Sequence, residues 1–145
     1  MDIEAILSVK GREVSTIRPE APVAEAMRRM RAERIGALVI SEDGRRIQGI
    51  ISDRGILHAI NDQGVGVLEQ PISSIMAREV VTCNRRDRVG SIMRLMTDRR
   101  IRHVPVVNEE GLLYGLVSIG DVVKNRLDEV QREAEAMREY ISGMV

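Results

Sequence analysis

The sequence predicts an α/β protein of two pseudo-symmetric units, each running strand-helix-strand-strand-helix, packed sheet to sheet and followed by a long C-terminal helix. Three observations carry this prediction. The chain repeats itself. Sliding Val14 onto Val80 brings Val23, Ala26, Met27 and Met30 over Val89, Ile92, Met93 and Met96, and Gly49-Ile50-Ile51-Ser52 over Gly115-Leu116-Val117-Ser118. Within each copy, apolar residues at i, i+3, i+4 and i+7 alternate with short apolar runs of strand length. Finally, 145 residues suit one compact body, whereas either half alone would bury too little surface to be comfortable.

The elements follow in order. Ile3, Ile6 and Leu7 share a helical face that Asp2 can cap and Gly11 can end. Val14 to Ile17 reads as a short strand. Pro22 suits a first helical turn and leads into the stripe Val23, Ala26, Met27, Met30, with Arg28, Arg29 and Arg31 on the other face. Ile35–Ile40 and Ile47–Ile51 read as a hairpin about Glu42-Asp43-Gly44, and a helix is expected from Asp53 to Ile60. The polar, glycine-bearing stretch Asn61–Gly66 opens a linker placed at residues 64–71. In the second copy Val80 to Cys83 is the strand and Asp87 the expected helix cap. Val104–Val107 and Leu112–Val117 form a hairpin about Asn108-Glu109-Glu110-Gly111, and a helix runs from near Ile119 to about Ile141. The units are thus 1–63, with the N-terminal helix, and 72–126, with a helical extension over 127–145.

That last helix carries a seam. Val123, Leu127, Val130, Ala134, Met137 and Ile141 are spaced alternately four and three, about two and a half heptads. The stripe either packs on its own unit or docks on a second subunit.

Composition narrows function. With 22 basic and 22 acidic side chains the net charge is zero, which disfavours an electrostatically held polyanion or anionic membrane. Two Tyr, no Phe and no Trp leave almost no stacking platform for single-stranded nucleic acid. One cysteine, Cys83, excludes an internal disulfide and points to a reducing compartment. No leader-like segment follows Met1 and no run is long enough to span a bilayer, so a cytoplasmic location is expected. His58 and His103, one in each unit, form no metal-ligand spacing, so no metal is expected. Cys83 sits where the first copy has Ile17 and reads as a buried thiol. No nucleophile, P-loop or GxGxxG motif marks an enzyme. The clusters Arg85-Arg86-x-Arg88 and Arg99-Arg100-x-Arg102 read as solvated surface, phosphate contacts or nucleic-acid contacts.

Packing two related units leaves a cleft between them, the usual place for a small ligand. The chemistry concentrates at Gly115-Leu116-Val117-Ser118-Ile119-Gly120-Asp121, where a strand gives way to a helix. Free N–H groups at a helix start attract phosphate. Ser118 can add a hydrogen bond, Gly120 admits close approach, and Asp121 can accept from both hydroxyls of a ribose. The same Ser-x-x-Asp is also a capping box that needs no ligand.

In order, spacing and duplication, these motifs resemble the CBS-domain family, named for cystathionine β-synthase. The resemblance rests on Thr16 with Val23-x-Glu25-Ala26-Met27, Gly49-Ile50-Ile51-Ser52, Arg102-His103-Val104-Pro105-Val106-Val107, and Gly115-Leu116-Val117-Ser118 with Asp121. It covers nearly the whole chain as a stand-alone tandem pair, or Bateman module. It implies an adenine-nucleotide sensor that modulates a partner protein and assembles as a homodimer. Ser118 would contact phosphate and Asp121 the ribose. Arg102, His103, Val104 and Pro105, with Thr82 and Cys83 nearby, would hold adenine, Pro105 being suited to an edge strand. In the first unit Ser52 is retained, but Gly55 stands where the acid belongs, and Asp53 is two residues early. That site, with Thr16, Ile51, Ser52, Asp53 and Arg54, is expected to bind adenosine poorly, to reach phosphates of a neighbouring ligand, or to take the other half of a dinucleotide. AMP leads the expected ligands, with ADP, ATP, NAD(H) and S-adenosylmethionine open. A ligand-independent assembly protein is the alternative, and a nucleic-acid binder the third.

Overall fold

The computed structural model describes residues 1–144. The N-terminal helix α1 (Ile3–Lys10) starts at Asp2, whose side chain accepts from the Ala5 N–H, and ends at Gly11. The first unit comprises β1 (Thr16–Ile17), α2 (Val23–Glu33), β2 (Ala37–Ile40), β3 (Gly49–Ser52) and α3 (Asp53–Gln63). Two 3₁₀ turns, Val65–Glu69 and Ile72–Ser74, lead into the second unit. It comprises β4 (Cys83–Asn84), α4 (Val89–Arg99), β5 (His103–Val107), β6 (Leu113–Ser118) and α5 (Ile119–Gly143). The predicted extension over 127–145 therefore continues α5 without a break, and its last residue, Val145, lies outside the described residues.

Each unit forms a three-stranded sheet, β1-β2-β3 and β4-β5-β6. In each the first pair is parallel and the second antiparallel. Registers repeat as well: Ile17 pairs with Ile40 as Cys83 pairs with Val106, and Leu38 with Ile51 as Val104 with Val117. Leu38, Ile40, Val104 and Val106 are fully buried in the cores beneath the helices. Val39 and Pro105, on the opposite strand face by alternation, are buried too, as two sheets packed face to face require. Even the helix ends match. Arg34 and Arg100, which close α2 and α4, both adopt the left-handed conformation at φ 55.

Several local expectations shift. β4 starts at Cys83, so Thr82 lies outside it. Arg88, not Asp87, caps α4; Asp87 instead accepts from the Asn84 N–H at 2.9 Å and closes the preceding turn. Residues 61–63 extend α3, and 65–69 form a 3₁₀ turn with Val67 buried. Pro105 is not on an edge, because β5 is the central strand. It is tolerated because β4 is only two residues long and pairs with Val106 and Val107, beyond the proline. In the first unit Val39 donates its N–H to the Ser15 carbonyl at 3.3 Å; Pro105, at the matching position, has no N–H to give.

The units exchange their leading segments. α1 precedes the first unit, yet Ile3, Ile6 and Leu7 belong to the core of the second. Conversely Ile72 and Met76 lie ahead of β4, in the opening stretch of the span 72–126 assigned to the second unit, and belong to the core of the first. Two repeat-related glycines permit this. A Cβ on Gly49 would lie 2.6 Å from Met76 Sδ, and one on Gly115 would lie 2.9 Å from a Leu7 methyl. The halves therefore form one body, consistent with neither being self-sufficient.

Candidate ligand cleft

Both sequence-predicted serines stand at helix starts. Ser52 caps α3, its Oγ accepting from the Gly55 N–H at 3.0 Å. Ser118 caps α5, its Oγ accepting from the Asp121 N–H at 3.2 Å, while Asp121 Oδ2 accepts from the Ser118 N–H at 2.8 Å. The second unit thus has a complete capping box and the first only half of one. Nothing in the packing forces this difference. A Cβ on Gly55 would meet only Ser52 Oγ, at 3.4 Å, so an acid would fit there.

Asp121 has a partner that lies 111 positions away in the chain. Lys10 Nζ, at the end of α1, reaches Asp121 Oδ2 at 2.6 Å and the Leu116 carbonyl at 2.8 Å. Burial alone would raise the Asp121 carboxyl, but the Lys10 hydrogen bond and the Ser118 N–H together hold it below its ordinary value. The group is an anion at neutral pH. Both contacts fall on Oδ2; among the described residues, none falls on Oδ1. Gly120 is exposed, and a Cβ there would meet only Ser118 Oγ, at 3.6 Å, so the backbone is open to approach.

A second ion pair crosses between the units. Arg102, just before β5, donates to Asp53 Oδ1, at the start of α3, at 3.2 Å. The His103 ring packs on Gly36, where a Cβ would lie 3.2 Å from Cε1. Burial pushes the His103 imidazolium down from its ordinary value; Arg102 and Lys10 push the same way, while Asp53 and Asp121 push it up. A histidine held neutral by folding contributes stability that is fully present above its unfolded pKa near 6.5 and is lost as pH falls through the lower folded value. His103→Gln is accordingly expected to flatten the loss of melting temperature between pH 7.5 and pH 5.5. An equal loss in variant and wild type would show that His103 is not the group responsible.

On the first-unit side a cleft of about 470 Å³ opens between the units. Ile50, Ile75 and Ala77 contribute apolar wall. Ser52, Arg54, His58, Arg100 and Arg102 supply polar and cationic groups, and His103 closes one end. It is a cationic site without a carboxylate to hold a diol.

Not every expected residue joins these groups. Ile51 lines the first-unit cleft although its side chain belongs to a core; the side chains of Cys83 and Val104 belong to the other core. Burial and the Asp87 carboxylate push the Cys83 thiol up to about 12, the behaviour of an inert buried group. Thr16 lies on the edge strand across β2 from Ser52; its carbonyl accepts from Arg29 Nη1 at 2.5 Å, and its hydroxyl faces the turn at Gly44. Thr82 is exposed ahead of β4. Lys10, Gly36 and Ile50 escaped the sequence reading, whereas Arg100 stood there in a basic cluster with phosphate contact among its readings. Ile50 had a signal, strand alternation opposite core-facing Ile51; Lys10 and Gly36 had none, because tertiary packing alone brings them in. Among the described residues no helix is long and apolar enough to cross a membrane, and no group of three His, Cys, Asp or Glu is placed to hold a metal ion.

Comparison with known proteins gives a consistent result. Residues 7–62 and 72–128 each match the family model described as the CBS domain. A CBS domain-containing protein of Arabidopsis thaliana, CBSX3, mitochondrial, is 37% identical over 125 residues, covering 83% of this chain; the match spans only 60% of that relative's length. The crystal structure of the CBS-domain containing protein ATU1752 from Agrobacterium tumefaciens superposes with a TM-score of 0.82 at 40% identity, covering 86% of this chain and 92% of that one. The CBS domain protein PAE2072 from Pyrobaculum aerophilum, complexed with AMP, gives a TM-score of 0.74 at 28% identity, covering 83% of this chain and 89% of that one.

Proposed function

The chain belongs to the CBS-domain family as a tandem pair, and from that premise we propose that it is a regulatory module, not an enzyme, that senses an adenine nucleotide and modulates a partner protein. The observation that carries this reading is the head of α5. There an anionic Asp121 keeps Oδ1 unengaged beside an exposed Gly120. Oδ1 accepts from a ribose hydroxyl, and Lys10 and the Ser118 N–H fix the carboxylate orientation. Phosphate is met by the Ser118 hydroxyl and by the cations between the units. The AMP held by the PAE2072 protein supports the ligand class. The first-unit cleft, with Arg54, Arg100 and Arg102 but no acid, takes further phosphates of ADP or ATP, or the second half of NAD(H), in preference to an adenosine of its own. Sensing requires that the ligand bind one conformational state better than another. The Arg102–Asp53 pair between the units is a contact that an incoming phosphate would compete for.

A melting-temperature panel with AMP, ADP, ATP, NADH and S-adenosylmethionine tests the proposal, since a ligand bound only by the folded state raises stability by mass action. A saturable rise with AMP, absent with 2′-deoxyadenosine monophosphate, is expected. No rise with any adenine ligand at millimolar concentration would overturn the reading in favour of a ligand-independent assembly protein.

A further inference from the structure

We infer that the second unit carries a separate anion site, between the start of α4 and the first half of α5, that takes a di- or triphosphate group. This goes beyond the nucleotide-sensing reading and does not depend on it. A cavity of about 550 Å³ opens there, lined by Arg88, Ser91, Arg94, Arg126 and Glu129. That volume suits a small ligand. The guanidinium groups come from three places: the residue before α4, the second turn of α4, and α5. Glu129 is the one carboxylate lining the cavity, and it already pairs with Arg126 at 3.0 Å. Among the described residues neither Arg88 nor Arg94 has an ion-pair partner. The cavity therefore gathers more positive charge than its own side chains neutralise. Arg126 is turned about 140° around α5 from Asp121, and none of Asp121, Arg54, Arg100 and Arg102 lines this cavity. It is distinct from the cleft between the units.

The first unit is an internal control. In the repeat register Arg88, Ser91 and Arg126 stand where it has Pro22, Glu25 and Ile60. Ile60 packs partly buried against the first core, and the two sheets share topology and register. The scaffold itself therefore does not require arginine at these positions. Of the three arginines only Arg94 has a counterpart, Arg28, and there Glu25 lies one helical turn before it. The basic run at 85–88 also divides. Arg85 lies 5.8 Å from the Tyr114 ring centroid and Arg86 is 4.0 Å from Asp2, whereas Arg88 joins the α4–α5 cavity. The side-chain type selects the ligand. A guanidinium is a planar, permanently charged fork that matches phosphate oxygens in pairs. Forks spread over two helices are answered better by two or three linked phosphates than by one.

The test titrates inorganic triphosphate into the full chain by isothermal calorimetry. To keep the cleft between the units from contributing, every chain in the series also carries Arg102→Gln. Saturable binding is expected, and Arg94→Gln and Arg126→Gln are each expected to weaken it about tenfold. Arg28→Gln, the matching surface arginine of the first unit, is expected to change nothing. ATP titrated into Asp121→Ala separates two sources of the same chemistry. Binding tighter than triphosphate assigns the site to the phosphates of a nucleotide; equal or weaker binding assigns it to a free phosphate chain. The substituted arginines are exposed, so circular dichroism should be unchanged. In chains with Arg102 intact, the AMP-induced melting shift should survive Arg94→Gln and Arg126→Gln, which keeps a failure of this site distinct from a failure of nucleotide sensing. No saturable binding of triphosphate, full affinity in both Arg94→Gln and Arg126→Gln, or an equal loss in Arg28→Gln would each overturn the proposal.

Discussion

Asp121→Ala is expected to weaken adenine-nucleotide binding about tenfold or more, measured by isothermal calorimetry. The carboxylate is held as an anion by Lys10 and the Ser118 N–H, and its unengaged Oδ1 is an acceptor suited to a ribose hydroxyl. Leaving a buried hydroxyl unpaired costs about 1–3 kcal/mol, and each 1.4 kcal/mol is about a factor of ten. The same residue also closes the capping box, so Ala should cost about 1 kcal/mol of stability as well. Asp121→Asn separates the two roles. Its amide oxygen still accepts from Ser118, so the cap survives, while the anion that pairs with Lys10 is lost. Equal affinity in Asp121→Ala and wild type would remove this site from consideration. A loss matched only by a fall in stability, with Asp121→Asn binding normally, would assign Asp121 to capping alone.

Leu7→Ala is expected to produce the largest loss of stability. Leu7 is 1% exposed, and truncating a buried leucine costs about 2–5 kcal/mol, a large share of the ~5–15 kcal/mol that holds a typical domain together. Its neighbour makes the test specific. A Cβ on Gly115 would lie 2.9 and 3.0 Å from the two Leu7 methyls, so Gly115→Ala overpacks the contact and costs about 1–3 kcal/mol. In the double variant the new methyl enters the space Leu7 vacated, and the loss in urea denaturation should be smaller than the two single losses combined. Simple additivity would show that α1 does not rest on β6.

The exchange of leading segments also separates what was legible in the sequence from what was not. Every strand and helix of the repeated units was visible as a pattern, because burial of one face imposes a period of two or 3.6 on residue choice. The seam of α5 was visible by its heptad spacing, although its residues are exposed in the chain. Boundaries were less legible at turns. Asp87 has the composition of a helix cap but spends its carboxylate on the Asn84 N–H, and Pro105 suggested an edge strand although it sits in the middle of a sheet. In both cases the deciding fact is how far the neighbouring strand extends.

The site divides in the same way. The sequence by itself determined the duplicated scaffold, the two capping serines and the contrast between Asp121 and Gly55, all carried by residue types at fixed local spacing. Only the tertiary structure decided that Lys10 reaches Asp121 and that Arg102 pairs with Asp53 across the units. Those outcomes depend on contacts between residues far apart in the chain, which close packing selects and which leave no periodic trace in the sequence.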